Sequence, residues 1–265
     1  MAHNAIITLT TDFGTQDGYV GAMKGVILSM NSKAVIVDIT HEIDAHDVLS
    51  GAFTLKNSCQ SFPESTIHLA VVDPGVGSTR KSILLQTEKY FFLGPDNGVF
   101  SFVTREGEQV GVFELTESKY FLTPLSDTFH GRDIFAPVAG YLSLGIDPSE
   151  FGPELHDYVR ISLPSPIVSE SGIEGHIIHI DRFGNLVTNI DTESVDAFRT
   201  RGDIRIDVGS IALKNIARSY SEVEAGSPLA IVGSTGFLEI AVNKGSARQK
   251  LVLKRGDPVR VEMIS

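Results

Sequence analysis

Cysteine is almost missing from this 265-residue chain. Cys59 is the single example, so no internal disulfide can form and no thiolate metal cluster can be built. Long apolar runs are missing too: nothing approaches the roughly 18 residues that a membrane helix needs. The N-terminal MAHNAIITLTTDFG has neither the basic nor the apolar region of a secretory signal, and a soluble cytoplasmic protein is expected. Positive charge is scarce, with 22 Lys and Arg against 33 Asp and Glu. No basic cluster is present to follow a phosphate backbone, which excludes nucleic acid as an expected partner. Low-complexity tracts and solenoid repeats are absent as well, so the chain reads as fully globular.

What is present alternates. AIITLTT (5–11), KAVIVDIT (33–40) and TIHLAVVD (66–73) read as apolar strands, separated by helices over 17–30 and 47–61. Cys59 falls in the second helix, as a buried structural thiol. SILLQT (82–87) and YFFLG (90–94) read as paired strands, and helices are predicted over 98–105 and 130–145. The rhythm predicts an α/β domain over 1–160, with a mostly parallel sheet flanked by helices. A Pro/Ser-rich connector covers 161–172. Over 173–265, GHIIHID, NLVTNI, DIRIDV, PLAIVG, FLEIAV and PVRVEMI are six strand candidates, and runs of this kind replace helices in an all-β barrel domain.

Polar residues collect just past the predicted parallel strands, where open α/β sheets bind ligands. Asp12 suits a carboxylate accepting from a vicinal diol, and equally suits a helix N-cap. VVDPGVGSTR (71–80) sets Asp73 and Arg80 at the two ends of a glycine turn but lacks the GK[ST] of a phosphate loop. TFHGRDIFAP (128–137) sets His130 at a helix start, as a general base, a ligand or a structural group, with Asp133 in the first turn. Asp181, Phe183, Asn185 and Ser234 stand at turns of the second domain, where hairpin chemistry is the competing account. Hard ligands are numerous, among them Asp17, Asp38, His41, Asp44, His46, Asp47 and Asp96. Yet no HExxH or EF-hand pattern occurs, so no metal and no cofactor are expected.

Seven motifs in order, TDFGTQDGYVGAMKG, DITHEI, VVDPGVGSTR, GPDNG, TFHGRDIFAPVAG, IDRFGNLVTNI and GSTGFLEIAVN, resemble those of the S-adenosyl-L-methionine hydrolases, or SAM hydroxide adenosyltransferases. These are related to the fluorinases and chlorinases, and the likeness spans residues 6–247. It implies an α/β domain joined to a β-barrel, hydrolysis of S-adenosyl-L-methionine to adenosine and L-methionine, and a homotrimer with sites between subunits. By this resemblance Asp73, Arg80 and His130 hold the attacking water, Asp12 binds the ribose, and Phe129 and Gly131 border the reacting carbon. Asp181 and Ser234 would take the methionine end, while Phe183, Asn185 and the chain from Val242 to Lys244 would form the adenine pocket. His46 stands where the halogenating relatives carry an aromatic residue.

Two departures separate the chain from those halogenating relatives. They have Tyr at the place of Asp73 and Tyr-Ser at the place of His130-Gly131, and a retained carboxylate repels an anion. Water is therefore the expected nucleophile. The competing readings are a halide-dependent adenosyl transferase, a binding module without catalysis, and a metal-dependent nucleotide hydrolase.

Overall fold

The computed structural model describes residues 5–104 and 108–264. It divides into two compact units, 1–161 and 162–265.

The first unit is a mixed sheet in the order β2-β1-β3-β5-β4-β6. Its strands are β1 (Ile6–Thr11), β2 (Val35–Thr40), β3 (Ile67–Val71), β4 (Ser82–Gln86), β5 (Phe91–Pro95) and β6 (Gly111–Glu114). The first three and β5 run parallel, and β4 returns antiparallel between β5 and β6, so the expected 82–87/90–94 pairing is present with Leu84 opposite Leu93. Strands β1 and β3 are buried along almost their whole length, as central strands covered on both faces must be. The flanking helices are α1 (Tyr19–Met30), α2 (Val48–Cys59) and α3 (Ala136–Ser143). Asp47 caps α2 by accepting the Ser50 N–H at 3.1 Å.

Two helix expectations need correction. Residues 98–104 form turns and not a helix; residue 105 lies outside the described residues. Gly98 takes φ +98°, and the Ser101 hydroxyl donates to its carbonyl at 2.6 Å, taking up an acceptor that a helix would need. Val99 and Phe100 are buried in the core regardless, which is why their apolar run reads as helical. The second helix, expected over 130–145, opens with a π-helical turn at Gly131–Phe135 before α3 begins. Pro137 has no N–H to give Asp133, whose carbonyl accepts from Leu122 at 2.9 Å instead.

The second unit is one sheet, ordered β11-β10-β15-β8-β9-β14-β13-β12, that curls into a nearly closed barrel. Its members are β7 (Ile167–Val168), which pairs with β8, β8 (Gly172–Ile180), β9 (Leu186–Asp191), β10 (Ile204–Val208), β11 (Ile211–Leu213), β12 (Ile216–Ala217), β13 (Pro228–Val232), β14 (Phe237–Val242) and β15 (Pro258–Met263). All six expected strands are there. The very short β7, β11 and β12 are too brief to show an alternating pattern. Two helices also interrupt what reads as strand and turn: α4 (Thr192–Arg199), capped by Asp191, and α5 (Ala247–Leu251), capped by Ser246. Only Val195 and Phe198 of α4 are buried, one turn of apolar signal.

Among the described residues no helix is long and apolar enough to cross a membrane. Cys59 is buried, and burial pushes its thiol up to about 11, so it packs and does not react. His68 on β3 is fully buried against Phe92 (5.1 Å, near-parallel) and edge-on to Phe62 and Tyr90, with Nδ1 2.8 Å from the Thr8 hydroxyl. Burial lowers its pKa from 6.5 to about 4. Between those values the unfolded chain takes up a proton that the folded chain refuses, so stability falls as pH drops. The loss should amount to about 3 kcal/mol. Urea titration at pH 7 and pH 4.5 should show a smaller pH effect in His68→Phe than in the wild type.

Candidate active site

Parallel strands put their C-terminal ends on one edge, and that edge gathers the expected polar residues of the first unit. Asp12 follows β1, His41 follows β2, Asp73 lies two residues past β3, and Asp96 and Asn97 follow β5. The GPDNG motif is structural. Asn97 Nδ2 donates to the Val72 carbonyl at 2.8 Å, and Asp96 accepts the Val159 N–H at 2.7 Å, which ties the β5 end to the approach of Asp73.

Asp73, Arg80 and His130 come together. Arg80 Nε donates to both Asp73 oxygens at 3.0 and 2.9 Å, and Nη2 donates to Oδ2 at 2.5 Å. The side chains are only 5% and 9% exposed, so the charges need each other. Nη2 also donates to His130 Nδ1 at 2.8 Å, and Nη1 donates to the Ser82 hydroxyl at 2.7 Å and the Lys81 carbonyl at 3.4 Å. All five guanidinium N–H groups are thereby engaged, over the ring of Phe135 at 5.6 Å. Ser82 gave no signal in the sequence beyond its place two residues after Arg80.

This arrangement fixes the state of His130. Arginine can only donate, so Nδ1 must accept and a neutral ring carries its proton on Nε2. Burial, then the Arg80 charge, lowers the His130 pKa below 6.5, against the opposing pull of Asp73, Asp127 and Asp133. The ring is neutral at neutral pH.

Local chemistry explains why these segments meet. Gly77 takes φ +75°, and a Cβ there would overlap the Asp127 carbonyl oxygen, so glycine lets the Asp73–Arg80 turn close on the segment before His130. Asp133, fully buried, accepts the Ser126 N–H at 2.9 Å and the Arg132 Nε–H at 2.6 Å and so closes the loop carrying His130. Phe129 packs edge-on against Phe13 and Tyr19, and these rings line a cavity of about 350 Å³ with Ser126, Thr128 and Arg132. Gly131 lies beneath them; a Cβ there would meet Met23, Phe129 and Phe13 at 3.3 to 3.5 Å.

Asp12 is half-buried, and its Oδ2 accepts the His46 N–H at 2.9 Å. His46 enters through its backbone, held at φ +68°. Among the described residues no three His, Cys, Asp or Glu side chains gather in a way that could hold a metal ion.

In the second unit, Asp181 accepts the backbone N–H groups of Phe183 and Asn185 at 2.9 and 2.8 Å and the Asn185 amide Nδ2 at 2.9 Å. A carboxylate cannot donate, so the Asn185 amide is fixed with its carbonyl oxygen turned from Asp181. Phe183 is 76% exposed. Ser234 and Lys244 are exposed on turns, Lys244 at φ +55°, and Val242 is buried at the end of β14. Sequence reasoning missed Glu239 and Tyr220. Glu239 is buried, and burial, then Asp181, raises its pKa; Tyr220 is raised by burial and by both acids. The legible signal was an acid inside the apolar run FLEIAV.

Comparison with known proteins agrees across both units. Residues 7–152 match the SAM hydroxide adenosyltransferase N-terminal domain model, and 175–260 match the C-terminal one. An (R)-S-adenosyl-L-methionine hydrolase of Thermus thermophilus is 37% identical, over 95% of this chain and 97% of that protein. One of Methanocaldococcus jannaschii is 38% identical over 97% and 95%. A fluorinase of Actinoplanes is 27% identical over 97% of each chain. The crystal structure of an uncharacterized conserved protein from Thermotoga maritima superposes with a TM-score of 0.89 at 37% identity, covering 96% of this chain and 99% of that one. The chain belongs to the SAM hydroxide adenosyltransferase family.

Proposed function

We propose that the protein uses water to cleave S-adenosyl-L-methionine into adenosine and L-methionine, acting on the R epimer at sulfur that its hydrolase relatives are named for. The observation that carries this reading is the buried Asp73–Arg80–His130 chain. The water oxygen bonds to the ribose C5' as the C5'–S bond breaks, its electron pair passing to sulfur. The sulfonium becomes a neutral thioether, so the leaving group needs no acid. Water does need help, since its pKa in bulk is about 15.7.

With every Arg80 N–H engaged, the water meets Arg80's partners. His130 donates Nε2–H and orients the water, and Asp73, with lone pairs left after Arg80, accepts its proton. The Arg80 charge steadies the hydroxide as it forms. In-line attack needs the oxygen about 3 to 3.5 Å from C5'. The Asp73 charge disfavours halide in that place.

Asp12 then receives the ribose hydroxyls, with Phe129 and Gly131 beside C5'. Asp181 and Ser234 hold the methionine end in the negative field that Glu239 strengthens. Phe183, Val242 and Lys244 frame the adenine, and the Asn185 carbonyl accepts from its amino group. We read the assembly as a homotrimer, each site shared between subunits, in the cytoplasm, working without metal or cofactor. The family resemblance supports the trimer.

Turnover of each sulfur epimer in oxygen-18 water, with and without chelator, should give labelled adenosine and methionine from the R epimer, insensitive to chelator. Unlabelled adenosine, or no product, rejects the reading. Asp73→Asn and His130→Asn should each lower kcat by about a hundredfold. Since the neutral His130 ring is required and its pKa lies below 6.5, kcat should hold from pH 8 down to 6.5 and decline only below. A decline centred above 6.5 contradicts the assigned tautomer. Mixing Asp73→Asn and Asp181→Asn subunits, each impaired alone, should restore part of the activity if sites are shared, and none if each subunit is self-sufficient.

A further inference from the structure

The DITHEI motif has no part in the chemistry above, yet His41 is the most deeply placed histidine on the strand-end edge. It is buried, and its Nδ1 lies 2.9 Å from the hydroxyl of Thr11, also buried, which immediately precedes Asp12. Thr11 Oγ in turn accepts the Phe13 N–H at 3.3 Å, and the His41 carbonyl accepts the Gly14 N–H at 2.8 Å. His41 thus grips the Thr11–Gly14 turn at two points, its ring at Thr11 and its carbonyl at Gly14, with Asp12 between them. On its far side Nε2 lies 3.0 Å from Asp38 Oδ1, a contact short of full hydrogen-bond geometry, and Lys24 donates to Asp38 Oδ2 at 2.6 Å. Burial raises the Asp38 pKa, but the nearby Lys24 and His41 outweigh it and leave the carboxyl below its ordinary value.

The direction of every link follows from what each group can do. Lysine only donates and a carboxylate only accepts, so Asp38 draws the His41 proton to Nε2. In the tautomer with its proton on Nε2 the ring offers a lone pair at Nδ1, the Thr11 hydroxyl donates to it, and the Thr11 oxygen accepts from Phe13. On the other flank Asp12 is met by the His46 N–H. The carboxylate is therefore placed by two elements, the β2 end and the segment before α2.

We infer that His41 is a positioning residue for substrate binding, setting Asp12 to receive the ribose diol through Thr11, with Asp38 and Lys24 fixing its tautomer. The inference rests on the reading of Asp12 given above. It requires no contact between His41 and substrate. Its signature is a loss of affinity specific to the diol and not a general loss of turnover.

The test measures kcat and KM for S-adenosyl-L-methionine and its 2'-deoxy analogue in the wild type, His41→Leu, His41→Asn and Thr11→Val. His41→Leu should raise KM about tenfold with kcat within about twofold of the wild type. Its preference for substrate over the deoxy analogue should shrink. His41→Asn, whose amide oxygen can replace Nδ1 as acceptor, should recover most of the loss. Thr11→Val cuts the same link from the other side in near-equal volume, so it should copy His41→Leu and serves if that variant fails to fold. Unchanged KM and unchanged diol preference in the folded variants overturn the inference. A wild type indifferent to the 2'-hydroxyl instead overturns the reading of Asp12 beneath it.

Discussion

A guanidinium with no hydrogen left unbonded governs the first unit. Arg80 lies among Asp73, His130, Ser82 and the face of Phe135, nearly withdrawn from water. A buried cation survives only if its partners are in place, and removing one partner of such a pair typically costs about 3 to 5 kcal/mol. The groups that would handle the water are thus also the groups that the packing demands. Structural need and chemical use coincide in the same hydrogen bonds.

Much of the fold was legible because burial leaves a pattern. The runs around Ile7, Leu69 and Leu93 announce central strands, and the six alternating runs after residue 173 announce the barrel. What escaped had little periodicity to show. The turn at 98–104 is as apolar as a helix but is ended by the Ser101 side chain, α4 shows only one apolar turn, and the π-helical turn before α3 follows from one missing N–H at Pro137. None of these is a statement about hydrophobicity, so hydrophobicity could not reveal them.

The candidate site divides in the same way. Asp73, Arg80 and His130 were named by their place in an ordered set of motifs, since each taken alone has a sufficient structural role. Their mutual orientation was hidden, because it depends on bonds between residues 7 and 50 positions apart. Glu239 and His41 illustrate the opposite case. Each stands in plain sight inside a motif, but its part emerges only when the neighbour is known, Asp181 for one and Thr11 for the other.

The contact between Gly77 and Asp127 carries a consequence for how the site comes into being. It joins a turn between two strands to a loop about 50 residues further along, so its closure entropy is met only after the intervening strands have docked. The imidazole reaches the guanidinium through that closure. The Arg80–His130 contact accordingly depends on a closure between distant segments, and a first unit with its sheet formed but without that closure would leave the two side chains apart.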